Sequence, residues 1–259
     1  MRLLFPHDPF NKAIADDNYA DEWQAANAMN VPCSLFSFEH FEEGEFRPLP
    51  AFAVGETVVY RGWMLRPERY AALFDACAAQ GTTLVTTPAG YRHCHYLPEW
   101  YASCVGDTPE TVFATRDADF AAAVAGKNWP AYFVKDYVKS LSSMRGSVAA
   151  TPAEIASVVD LIAQYRGAIE GGVCIRCYES LLPETEERYF AWRGRAYGRD
   201  GKVPALVASI AARIDSPFFS IDVVMSASGQ LRLIELGDGQ VSDRKQWTAA
   251  QFLAVLMQG

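Results

Sequence analysis

Two grammars of apolar and polar positions follow one another along the chain. In the first hundred residues short apolar runs alternate with helical stretches. Residues 2–5 predict a buried strand, 21–28 a helix, 33–38 a strand, 58–63 a strand, 67–79 a helix and 81–86 a strand. Strands alternating with helices argue a small parallel α/β unit. From about Thr111 the pattern changes, with a helix at 117–125, a strand at 132–139, a Ser/Gly loop at 140–147, a helix at 152–165 and a strand at 173–178. Hairpins come next: 188–192 with 195–199, a helix at 203–214, then 218–226 with 231–236. That second part reads as α+β. With no internal repeat and no low-complexity linker, the boundary is set by the change of pattern, giving domains 1–105 and 106–259, the latter as lobes 106–178 and 179–259.

Of the 259 residues half are apolar and 21% charged, enough for a true core. The net charge of -8 repels nucleic acid and anionic membrane, so an anion must be held by a local cluster acting against the overall field. Pro6 and Asp8 interrupt the start long before a stretch of signal-peptide length, and no run approaches a membrane span. A cytoplasmic protein is expected, without nucleic-acid or membrane partners. Six cysteines in apolar contexts suit reduced, mostly buried thiols.

Gly-rich phosphate loops, the nucleophile elbow and the His-Glu-x-x-His helix are all absent. Cys174 and Cys177 have redox or metal spacing, but in a strand positions three apart point to opposite faces. His93 and His95 flank Cys94, with Cys104 nearby, and would share a face of an extended segment as part of a zinc site. Ordinary loop histidines are the competing reading.

The last third carries a charge problem. With Ser228-Gly229 as a two-residue turn, Asp222 faces Glu235, and such side chains have Cβ atoms about 4.5–5.5 Å apart. A divalent cation, Mg²⁺ or Mn²⁺, would offset the repulsion, with Asp238 as a third ligand; a solvent-facing acid or a different register is the alternative. In the preceding hairpin, with Arg193-Gly194 as turn, Arg188 faces Arg199, and two guanidinium groups ask for an anion such as phosphate. A solvated charged face is equally open. The strand at 132–139 places Lys135, Tyr137 and Lys139 on one face beside the Ser/Gly loop, where lysines could neutralise phosphates. Together these are the parts that hold a metal-bound nucleoside triphosphate.

That order of parts resembles the ATP-grasp superfamily over most of the chain. Tyr-Phe-Val-Lys-Asp-Tyr-Val-Lys and the loop after it are similar to the family's phosphate-contacting lysine strand and flexible loop. The segment from Gly171 to Leu181 resembles its adenine-contacting hinge, Glu187–Phe190 its arginine segment, and Ser220–Val223 with Leu233–Asp238 its two metal-ligand strands. More narrowly, the chain resembles the clade named for two arginines and a lysine, family 3 type, with Lys135, Arg176 and Arg188 as the matches. The opening Leu-Phe-Pro-His-Asp-Pro-Phe-Asn and the later Asp-Gly-Gln-Val-Ser are also similar to that clade. One departure stands out: Gly237 occupies the position where the superfamily usually has Asn, two residues after the metal-binding Glu. Asp238 or water must then substitute, or metal binding is impaired.

The resemblance implies an ATP-grasp fold behind an N-terminal Rossmann-like pre-domain. It also implies an ATP-dependent ligase joining a carboxylate to an amine, from amino acid or peptide substrates, through an acyl phosphate. Lys135, Arg188 and Arg176 would be catalytic. ATP would meet Lys135, Lys139, Arg145, Glu179, Arg188 and Arg199, and Asp222, Glu235 and Asp238 would hold magnesium. The acceptor is expected near His7, Asp8, Arg61 and Trp63, by architecture alone. An ATP-binding module without turnover is one alternative; a zinc hydrolase built on His93, His95 and the cysteines is another.

Overall fold

In the computed structural model, which describes residues 1–140 and 146–258, strand β1 (Arg2–Pro6) is packed on both faces. Leu3 and Phe5 face a cluster with Ala26, Trp247 and Phe252, while Leu4 faces another with Tyr60, Tyr70 and Leu73. Burial on both sides is why this strand is a continuous apolar run, without alternation. It pairs in parallel with β2 (Cys33–Phe36) and β3 (Thr57–Tyr60), and β3 with β4 (Thr83–Leu84), in the order β2-β1-β3-β4. Helices α1 (Ala20–Ala28), α2 (Phe38–Glu42), α3 (Pro67–Ala79) and α4 (Pro88–His95) lie between and after these strands. The expected strand at 33–38 ends early because the Ser37 side chain caps α2 by accepting from His40 N–H.

By its contacts the chain divides into two compact units. The first contains Met1–Cys94, Arg188–Ile221 and the residues from Gly237 onward; the second contains His95–Glu187 and Asp222–Leu236.

The second unit is built on an antiparallel sheet of order β5-β8-β6-β7, from β5 (Thr111–Ala114), β6 (Tyr132–Asp136), β7 (Val148–Ala149) and β8 (Val173–Cys177). Helices α5 (Leu97–Tyr101), α6 (Phe120–Ala123) and α7 (Ile155–Arg166) accompany it. Tyr132, Val134, Val173 and Ile175 form one face and pack on Ile155, Val158, Val159 and Ile162 of α7. The strand expected to reach residue 139 stops at Asp136, whose Oδ1 accepts from the N–H groups of Val138 and Lys139 and turns the chain. Beyond that turn Tyr137 lies over Gly171 and Gly172, where an added Cβ would come within 2.4 and 2.7 Å of its ring.

The remaining strands are β9 (Leu181–Trp192), β10 (Arg195–Tyr197), β11 (Phe218–Ser226) and β12 (Leu231–Asp238), in the order β10-β9-β11-β12. Arg193 and Gly194, at φ 50 and 77, make the expected two-residue turn, with Trp192 facing Arg195. The last hairpin differs from expectation. Gly229 N–H donates to Ser226 O and Ser226 N–H to Gln230 O, so the turn holds three residues with Gly229 left-handed. Helices α8 (Ala205–Arg213) and α9 (Ala249–Leu256) complete the first unit, α9 starting with a Thr248/Gln251 capping box.

Candidate functional site

The face of the second unit's sheet turned away from α7 carries the chemistry. In the antiparallel register Lys135 lies opposite Cys174 and Phe133 opposite Arg176. Alternation then puts Phe133, Lys135, Cys174 and Arg176 on one face, while their apolar neighbours enter the core. Phe133, Lys135 and Arg176 border a cavity of about 310 Å³, closed further by Tyr178, Glu179, Ile234 and Glu235. Lys135 is buried, and its Nζ lies 3.3 Å from Glu235 Oε1.

Arg176 is the most unusual group of the cavity. Nη1 donates to Ile234 O at 3.1 Å and Nη2 to the Thr108 hydroxyl, both neutral acceptors, while Nε is buried without a partner. Burial pulls its pKa down to about 10; Cys174, Glu235 and Glu179 only partly offset it. A buried guanidinium with no carboxylate fork and an unused donor is suited to an incoming anion. Beside it the Cys174 thiol is pushed up to about 12, chiefly by burial, which leaves it an inert sulfhydryl.

Glu179, expected at the nucleotide, borders the cavity with both its oxygens engaged by Arg232 at 2.8 Å. Lys139 is exposed past the Asp136 turn and off the strand face assigned to it. Arg145 lies outside the described residues. Asp222 is buried within β11 and does not border this cavity. Because the last turn is one residue longer than Ser228-Gly229, its facing of Glu235 no longer follows from the turn.

Asp238 departs from the expected ligand set. Three residues from Glu235 on a strand, it points to the opposite face, the rule already applied to Cys174 and Cys177. Within the first unit its Oδ1 accepts from Gln240 N–H and Nε2–H, and Gln240 in turn donates to Tyr70. Burial raises its carboxyl to about 7 against the lowering influence of Gln240, Thr86 and Arg61. Among the described residues no three His, Cys, Asp or Glu side chains gather as a metal-ligand set. Magnesium is commonly held by one or two carboxylates together with substrate phosphates, so a cavity-lining Glu235 beside two cations fits that mode.

The paired-arginine fork is also absent. The β9–β10 ladder ends at Phe190 facing Tyr197, two pairs before Arg188 and Arg199. In the first unit Arg188 Nη1 donates to Asp243 Oδ1 at 3.0 Å and to Asp243 O at 2.9 Å, while Arg199 is exposed and its carbonyl accepts from Gln251. His93, Cys94 and His95 lie on helix α4, where i and i+2 do not share a face, and burial raises the Cys94 thiol. His7 bonds the Asp8 carbonyl and the Asp8 side chain caps the turn to Phe10 and Asn11, so both serve the loop. Tyr178 falls within the hinge segment Gly171–Leu181 expected at the adenine, whereas Phe133, Thr108 and Arg232 were not among the expected site residues. Of these three, Phe133, two residues before Lys135, had a visible signal in the strand period.

A parallel α/β sheet, an antiparallel sheet with a lysine and an arginine on its open face, and an acid on the final hairpin define an ATP-grasp architecture. The chain belongs to the ATP-grasp domain family described as R2K clade family 3, whose model matches residues 95–258. Solved structures share the fold along the whole chain. D-cycloserine synthetase DcsG is 18% identical, with a TM-score of 0.64 over 99% of this chain and 98% of that one. A RimK domain ATP-grasp protein from Sphaerobacter thermophilus DSM 20745 is 16% identical, with a TM-score of 0.60 over 100% of both chains. The ATP-grasp ligase PsnB, complexed with minimal precursor, Mg and ADP, is 12% identical, with a TM-score of 0.61 over 99% and 97%. No curated protein matches the sequence significantly. Among the described residues no helix is long and apolar enough to cross a membrane.

Proposed function

We propose that the chain is an ATP-dependent ligase joining a carboxylate to an amine, with the cavity of Lys135 and Arg176 as its nucleotide site. The observation that carries this reading is Arg176, buried at the cavity with no carboxylate partner and an unused Nε donor. A polyphosphate supplies the missing charge, and Lys135 supplies a second cation as a point charge. Phe133, Tyr178 and Ile234 offer apolar surface for a base. Glu235 would hold magnesium, with Asp222 as a second carboxylate; Mn²⁺ offers the same hard-cation chemistry. The metal, when bound, neutralises phosphate charge.

In the proposed reaction a substrate carboxylate oxygen attacks the γ-phosphorus and ADP leaves. The amine then attacks the acyl carbon, and phosphate leaves. The protein's part is to position reactants and neutralise charge, without a nucleophile of its own. The division into a pre-domain to about residue 105 and a two-lobed remainder, and Arg188 as a substrate or phosphate contact, belong to this proposal as well. Gly237 favours the second reading, nucleotide binding without turnover. A Cβ there would meet Ser242 Oγ at 3.0 Å and Ser220 Oγ at 3.1 Å, so two hydroxyls occupy the space beside it.

The test is calorimetric titration of ATP with and without Mg²⁺, followed by ADP release with amino acids and peptides. Magnesium-dependent binding should weaken by about tenfold or more in Lys135→Ala and Glu235→Ala. Absence of ATP binding in the wild type overturns the nucleotide site; binding with no ADP release for any acceptor selects the second reading.

A further inference from the structure

Three polar side chains come together in the interior of the first unit. Asp238 ends β12, Thr86 stands between β4 and α4, and Ser216 precedes β11; all three are buried. Asp238 Oδ2, Thr86 Oγ1 and Ser216 Oγ have no hydrogen-bond partner among the described residues. They share one neighbourhood. Thr86 acts on the Asp238 carboxyl, and Asp238 and Ser216 both act on the Cys94 thiol of α4. A Cβ on Gly90 of the same helix would lie 3.3 Å from Thr86 Cγ2 and 4.0 Å from Ser216 Oγ, which brings the two hydroxyl residues to one spot. A buried oxygen without a partner forfeits its hydration with nothing in return, so three in one place ask for a shared ligand.

The charge of that ligand follows from Asp238. Its Oδ1 accepts only from neutral donors, the N–H and Nε2–H of Gln240. Arg61, the guanidinium that acts on it, is committed elsewhere. Nε and Nη2 of Arg61 hold the two oxygens of Glu22 at 2.7 Å each, and Nη1 holds the carbonyls of Gly239 and Gln240. Arg244 adds its Nε to Glu22, and the Tyr70 hydroxyl is spent between Thr86 O and Gln240. A buried charge is paired or holds a metal ion. One carboxylate and two hydroxyls are hard oxygen ligands carrying a single negative charge, which matches a monovalent ion and leaves a divalent one half compensated.

We propose that Asp238, Thr86 and Ser216 bind one alkali-metal cation inside the first unit. The cation ties the end of β12 to the turn before α4 and to the segment before β11. None of its three ligands lines the nucleotide cavity, and the site stands whether or not the chain is a ligase.

The experiment melts the full chain at about pH 8 with EDTA, in NaCl, KCl and tetramethylammonium chloride at equal ionic strength. Burial favours a competing proton on Asp238 up to about pH 7, and the higher pH removes it. At least one alkali cation should raise Tm by about 3 °C or more over tetramethylammonium and saturate with concentration, as a ligand of the folded state does. Asp238→Asn should abolish the increment and the sodium NMR line broadening that accompanies binding. Thr86→Val and Ser216→Ala, each removing one hydroxyl at nearly constant shape, should reduce both by about half or more. Equal Tm in the three salts overturns the proposal and leaves a proton or a water molecule as the partner of these oxygens. An increment that all three variants keep puts the cation elsewhere and overturns it as well.

Discussion

Arg61 and Arg176 are nearly equal in burial, 1% and 4% exposed, and each borders a cavity, yet the protein holds them in opposite ways. Burial depresses both, but at Arg61 the charge and hydrogen bonds of Glu22, with Tyr19 and Asp238, outweigh it and the net shift is upward. At Arg176 burial wins, because its partners are a carbonyl and a hydroxyl and its acidic neighbours are not bonded to it. The contrast separates two uses of a buried cation: one is compensated inside the fold and organises a loop, the other is left for a ligand to compensate.

The sharpest way to break that comparison is to replace each arginine by methionine. Arg61→Met leaves Glu22 buried with only Arg244, and should cost about 3–5 kcal/mol in denaturant unfolding. Arg176→Met should cost about 1 kcal/mol or less, because an uncompensated buried charge is being exchanged for a thioether of similar reach, while Mg-ATP binding is lost. Equal destabilisation by the two variants would erase the distinction.

Asp238 sharpens the Arg61 side. Its folded pKa of about 7 lies above the unfolded value, so the native chain keeps a proton that the unfolded chain has released. Stability is therefore lost as pH rises from about 4 to about 7, and stays reduced above that. Asp238→Asn lacks this titration. Its stability relative to wild type should rise across the window by up to roughly 4 kcal/mol, read from urea midpoints at pH 4 and 8. A constant difference would show that Asp238 is ionised throughout.

Gly237→Asn, which introduces the superfamily's usual residue, should destabilise by about 1–3 kcal/mol, because Ser242 and Ser220 stand 3.0 and 3.1 Å from the new Cβ. Pairing it with Ser242→Gly should recover part of the loss in the same melts. If the single variant is neutral, the two hydroxyls do not exclude a side chain there.

The two hairpins show how far a turn signal reaches. Arg193-Gly194 combines two left-handed residues that a two-residue turn requires, and the facing of Trp192 and Arg195 followed. Ser228-Gly229 is compatible with a two- or a three-residue turn, and Ala227 joined it. The face of Lys135 was legible in the strand period, but the expected strand runs past its end because nothing local signals that the side chain of Asp136, the last strand residue, caps a turn. Asp238 lies three residues from Glu235 and so on the other face of their strand, where its Oδ1 accepts from Gln240, a partner that only the folded chain brings to it. The engagement of Glu179 by Arg232 joins residues 53 apart, and no local pattern announces it.

What the sequence by itself determined is the change from parallel α/β to α+β, the placing of most strands, the family and the lysine and acid strands. These follow from periodicity, turn residues and short motifs, all of which act over a few neighbouring positions. Tertiary structure alone decided which charges are spent on the fold and which face a cavity. Burial and partner geometry set the worth of a buried ion, and for Arg61 with Glu22, and Arg176 with Thr108 and Ile234, those partners are brought together only when distant strands and loops pack.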